Sequence, residues 1–160
     1  KPSFWSSLDE RRQSTISFLK TILLGIGQRG KVVLLGRGSF GVFPNFTNVL
    51  NVRVHAHLDY RAKRVMDRRG MKNIDAKHLV EENDRSRNAF IKTYFNLSFD
   101  NAYSFDLVLN TAKVSPERAV DFIVNTQQEM LHRPNSESTS THDIEIDPLL
   151  MKTIDSTLGS

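Results

Sequence analysis

Three short apolar runs, Lys31–Leu35, Val49–Ala56 and Phe105–Leu109, stand among longer segments of helical periodicity, and this alternation constrains the fold more than any other feature. Short apolar runs bounded by turn residues read as strands buried on both faces. Strands set among helices imply right-handed crossovers, a parallel sheet and helices on both of its faces. The expected fold is therefore α/β, a three-layer α/β/α arrangement around a parallel sheet. At 160 residues the chain is long enough to bury a core. In such folds ligands bind beyond the carboxyl ends of the strands, which directs attention to the loop at Gly36-Arg37-Gly38 and to Asn110-Thr111.

The helices carry their own signals. Ser7 and Glu10 match a capping box, and Ile16, Leu19, Leu23 and Ile26 come after them at helical spacing until Gly27 and Gly30. Asp59 is placed to cap a helix that stops at Gly70, and Asn73 or Asp75 opens another that reaches about Tyr94. Ser115-Pro116-Glu117 sets a cap, a proline and an acid in the order of a helix start, with Ile123 and Val124 expected on its buried side. Residues 1–133 then read as one domain and the polar stretch 134–142 as a Ser/Thr-rich linker. Residues 143–160 read as the start of a further element or as a docking tail.

Charge is unevenly distributed. The net +4 hides a tail, 134–160, with one Lys against five acids, whereas Arg53–Lys92 alone holds eleven basic residues against six acidic ones. Such a region attracts nucleic acid or a phosphorylated small molecule, or it is a set of solvated helix faces. The phenylalanines show no spacing of the kind that stacks successive bases, which argues against nucleic acid. The chain has no cysteine, which excludes disulfides, thiolate metal sites and a Cys nucleophile. The longest strictly apolar stretch is Val32–Leu35, so no membrane partner is expected and a cytoplasmic location is.

Two groups of residues could carry chemistry. Arg37 sits between two glycines directly after an apolar run, where backbone can approach a ligand and a guanidinium can grip phosphate; a solvent-facing arginine in a tight turn fits equally. Asp84 and Arg87 lie three apart on one helical face, with Arg85 directed elsewhere; they read as an acid among arginines that binds a nucleotide, or as a surface ion pair. Arg61 and Arg64 share a face in the same way, with Lys63 and Arg68 beside them. His55 and His57 share one face of the second expected strand but lack a third ligand, so no metal is assigned to the chain.

Taken in order, these pieces resemble the cytidylate kinase-like family of nucleoside monophosphate kinases, over about Lys31 to Val124. The resemblance rests on Gly36-Arg37 followed by Phe43-Pro44, on Asp59-Tyr60-Arg61-Ala62-Lys63-Arg64, on Asp84-Arg85-Ser86-Arg87, and on Tyr103–Thr111 followed by Ser115-Pro116-Glu117. It implies a P-loop kinase-like fold and transfer of a phosphoryl group from ATP, with Mg²⁺, to CMP or a similar acceptor. Arg37, with Gly36 and Gly38, would hold the acceptor's phosphate. Asp84, Arg61 and Arg64 would contact the acceptor, and Arg87 and Arg85 the migrating phosphoryl group. Such chemistry asks mainly for positioning and positive charge.

The sequence departs from the family in two places. Gly38 stands where cytidylate kinases usually carry Asp, which leaves the acceptor base open. Gly-x-x-x-x-Gly-Lys-Ser/Thr occurs nowhere, so this chain alone is expected neither to bind ATP nor to transfer from it. The chain also begins with Lys, and it reads as the carboxyl-terminal part of such an enzyme, cut after its phosphate loop. Loss of a central strand would leave its neighbours short of partners or force them together, with marginal stability or self-association as the result. A non-catalytic nucleotide-binding or regulatory module that has lost the loop, and a basic nucleic-acid-binding domain, are the competing readings.

Overall fold

The computed structural model describes residues 4–132 and 139–158, with side chains from residue 13 onward. The chain divides into two compact units, Lys1–Val49 with Pro134–Ser160, and Leu50–Arg133.

The first unit is built on helix α1, Phe4–Arg29. The helix starts three residues ahead of Ser7, and the side chains of Ser7 and Glu10 lie outside the described residues. Gly27 does not end the helix but lies inside it; the stop is at Gly30, whose φ is 68°. The reason for Gly27 is close approach. A Cβ there would come within 2.7 Å of the Phe43 ring, which is 1% exposed and packs edge-on to Phe46. Gly25, about 200° around the helix, serves the opposite side, where a Cβ would meet Ile154 Cδ1 at 2.6 Å. Ile154 belongs to helix α5, Pro148–Leu158, which packs on α1 and is joined to it by the Arg29–Asp155 ion pair at 3.5 Å.

Residues 134–138 of the expected linker lie outside the described residues, and the remainder of it is held in place. Thr47 N–H donates to Thr139 C=O at 3.2 Å, and Asn48 and Thr141 exchange two bonds of 2.8 and 3.0 Å around a threonine that is 1% exposed. Ser140 and Asp143 form a capping box on the short turn between them.

Lys31–Leu35 forms no strand. It runs without a ladder partner among the described residues, and Val33 and Leu35 are each 95% exposed. An apolar run becomes a strand only where another strand takes up its N–H and C=O groups, and here none among the described residues does.

The second unit holds a parallel sheet of strands β1, Val52–His55, and β2, Leu107–Asn110, in the register Val52↔Leu107 to His55↔Asn110. Both strands are shorter than their apolar runs. Val54 and Val108, which the sequence pattern places in the interior, are exposed, while Ala56 and Leu109 are buried. Asn51 and Asp106 tie the strand starts together, with Asn51 N–H donating to Asp106 Oδ2 at 2.7 Å and Asp106 N–H to Asn51 C=O at 2.9 Å. Between the strands run α2, Leu58–Arg69, and α3, Asn73–Phe95, which pack against each other. The most buried positions of these two helices are alanines, Ala62 and Ala76, and small side chains there let the helices approach closely. Helix α4, Pro116–His132, begins at the predicted Pro116, with Ala119 N–H bonded to Ser115 C=O at 2.9 Å. Its expected inner face is corrected: Ile123 is half-buried, Val124 is exposed and Ala119 is the buried position.

Candidate functional site

In the second unit β1 and β2 end side by side, His55 opposite Asn110. Thr111 continues the pairing by one step, its backbone N–H donating to His55 C=O at 2.9 Å, so the carboxyl ends of both strands open at one level. β1 closes at His55, and His57, with φ −58°, lies beyond it at the start of α2. The expected shared strand face for the two histidines is therefore not formed. His57 Nδ1 instead lies 3.9 Å from Asp59 Oδ2.

Helix α2 begins just past Ala56, so the side chain of Arg61, one turn in, can reach back to the strand exit. Its Nε–H donates to Ala56 C=O at 2.9 Å. Its two Nη atoms donate to the two carboxylate oxygens of Asp84 on α3, at 2.8 and 2.7 Å, a two-pronged pair in which both side chains are 32% exposed. Arg87, one turn beyond Asp84, adds a third guanidinium bond at 2.8 Å. Fork-on-carboxylate pairs of this kind are the stronger and more directional ion pairs. The Arg61 guanidinium, with Arg87 behind it, holds the Asp84 carboxyl below the usual carboxylate range, against a smaller opposing effect of burial.

The acid thus sits between two arginines, as its sequence pattern suggests, but they are Arg61 and Arg87. Arg85 and Arg64 make no ion pair among the described residues and take no part in the bonds to Asp84. Neighbouring on the same helix pair, Lys77 Nζ lies 2.9 Å from Asp59 Oδ1; this pair lowers the Asp59 pKa and raises that of Lys77 while both groups stand in water. The partner that sequence spacing cannot supply is Arg61 for Asp84, 23 positions apart, because only the packing of α2 on α3 brings them together.

Arg37 lies in the first unit. Gly36, Arg37 and Gly38 have successive φ of 75°, 56° and 73°, and a Ser39 N–H to Gly36 C=O bond of 3.1 Å closes the turn around the arginine. An L-residue in that region is disfavoured, so the glycines on either side let the chain present Arg37 outward at the tip. The buried rings of Phe40 and Phe43 anchor the segment after the turn.

The sequence contains no Gly-x-x-x-x-Gly-Lys-Ser/Thr, and no three His, Asp or Glu side chains gather among the described residues. No described helix is long and apolar enough to cross a membrane.

With this geometry in view, comparison with known proteins assigns the class. The model of the cytidylate kinase-like family matches residues 3–113, and the chain belongs to that family. It is 29% identical over 101 residues to a cytidylate kinase of Sulfolobus acidocaldarius, covering 63% of this chain and 53% of the relative. It is also 29% identical over 94 residues to a uronate isomerase of Corynebacterium glutamicum, a match covering 59% of this chain and 18% of the relative. The crystal structure of an uncharacterized protein from Eubacterium ventriosum superposes with a TM-score of 0.62 at 19% identity, over 71% of this chain and 63% of that one, which establishes the shared fold. The chain thus spans about half the length of the curated kinase it matches, and a smaller part of the isomerase.

Proposed function

We propose that this chain supplies the acceptor-nucleotide and lid residues of a nucleoside monophosphate kinase acting on CMP or a similar monophosphate. The observation that carries this reading is the Arg61–Asp84–Arg87 cluster at the carboxyl end of β1, a carboxylate between two guanidiniums with Arg64 and Arg85 close by in sequence. In this reading the carboxylate accepts hydrogen bonds from the nucleoside, and the surplus positive charge meets the phosphate and the migrating phosphoryl group. Arg37, with Gly36 and Gly38, is proposed to hold the acceptor's phosphate. ATP and Mg²⁺ are the proposed donor and metal, as the kinase-like family suggests.

Titration of the chain with CMP and UMP, alongside a short oligonucleotide, tests the reading. Saturable monophosphate binding that Arg37→Ala abolishes supports it. Oligonucleotide binding that falls steeply with salt, with no response to either monophosphate, overturns it in favour of a nucleic-acid surface. The Lys31–Leu35 run, with Val33 and Leu35 bare, supports the further expectation that the isolated chain self-associates. Sedimentation velocity decides that point, a single monomeric species at all concentrations overturning it.

A further inference from the structure

The family resemblance groups Arg61 with the residues that contact the acceptor, but its hydrogen bonds describe another role. A guanidinium offers two edges that can grip phosphate or carboxylate with two N–H groups at once, the Nη1/Nη2 end and the Nε/Nη side. At Arg61 the end is taken by both oxygens of Asp84, at 2.8 and 2.7 Å. The side is taken at Nε by Ala56 C=O, at 2.9 Å. Neither edge remains whole. Arg87, by contrast, makes one bond to Asp84 through Nη2 and is 64% exposed, so it keeps donors for a ligand.

The three anchor points belong to three separate places in the chain. Ala56 is the first residue after β1, Arg61 is on α2 and Asp84 is midway along α3. One planar group therefore fixes the strand exit against both helices and sets the direction of the Asp84 carboxylate, on which Arg87 in turn rests.

We infer that Arg61 is a positioning residue of the acceptor site, strapping Asp84 and through it Arg87 to the end of β1, and that it makes no contact with the acceptor's phosphate itself. The inference rests on the acceptor-site reading proposed above. It separates the arginines by role: Arg61 acts through Asp84, whereas Arg87 is available to the ligand.

The charged groups that face Asp84 are Arg61 from α2 and Arg87 from its own helix. The experiment combines a mutant cycle with carboxyl titration, both on the whole chain. Arg61→Gln and Asp84→Asn are each expected to weaken CMP binding about tenfold, and the double variant to be no weaker than the worse single one, because both remove the same strap. Arg61→Lys, which keeps the charge and loses the fork, is expected to fail like Arg61→Gln. Additive losses in the double variant, or full rescue by Lys, would mean that Arg61 meets the phosphate as a charge, and would overturn the inference. NMR titration of the Asp84 carboxyl gives a readout independent of nucleotide. Its pKa should rise more in Arg61→Gln than in Arg87→Gln, and the reverse order would remove Arg61 as the strap. Absence of CMP and UMP binding in the unaltered chain would overturn the acceptor-site reading and with it the role assigned here, whichever way the carboxyl titration falls.

Discussion

The loop at Arg37 and the cluster at Arg61 present positive charge by opposite means. Arg37 is placed by its backbone: three successive residues of positive φ form a tip, and Phe40 and Phe43 hold the adjoining loop against the first unit's core. Arg61 is placed by its side chain, with all three nitrogens bonded and its backbone in ordinary helix. The first arrangement holds its guanidinium outward and costs conformational strain; the second engages both edges of the guanidinium and stiffens its surroundings. A cation held by backbone is ready for a ligand, whereas a cation held through its own donors organises other groups.

The largest effect is expected where the backbone-built loop meets its core. Phe43→Ala removes a ring that is 1% exposed and should cost about 3–5 kcal/mol, read as a large fall in Tm. Gly27→Ala attacks the same contact from α1, where the new Cβ would lie 2.7 Å from that ring; a cost of about 1–3 kcal/mol is expected from overpacking. A Tm unchanged in both variants would separate the loop from the helix that supports it.

Arg37→Gly sharpens the contrast most directly. Replacing an L-residue at φ 56° with glycine should relieve strain and raise Tm slightly, by about 2 °C, while removing monophosphate binding. The same substitution at Arg61 should do the opposite to stability, since it breaks the strap.

Acid should act on the strap in a defined window. The Asp84 carboxyl is lowered in the folded chain, so its contribution is fully present above the pKa of an unfolded aspartate, about 3.9, and is lost as pH falls through the lower folded value. Stability measured from pH 6 down to 2 should therefore decline less steeply in Asp84→Asn than in the parent at the acid end. The smallest effect belongs to Lys77→Ala: its partner Asp59 stands in water, and the melt should be unchanged.

Much of this is legible along the chain. The helix start at Pro116 and the stop at Gly70 are visible because caps depend on a few neighbouring residues. The Asp84–Arg87 pair is visible because three residues on a helix is a contact distance. Lys31–Leu35 misleads because a strand is a property of two segments, and an apolar run does not name its partner. Gly27 misleads because its place inside a helix answers to Phe43, sixteen residues away.

The sequence by itself determined the class of fold, the positions of most helices and the excess of positive charge between Arg53 and Lys92. Only the tertiary structure decided which arginine is committed and which is available. Charge and helical spacing are properties of near neighbours, whereas the pairing of Arg61 with Asp84 and with the end of β1 exists only once α2, α3 and the strand have packed together.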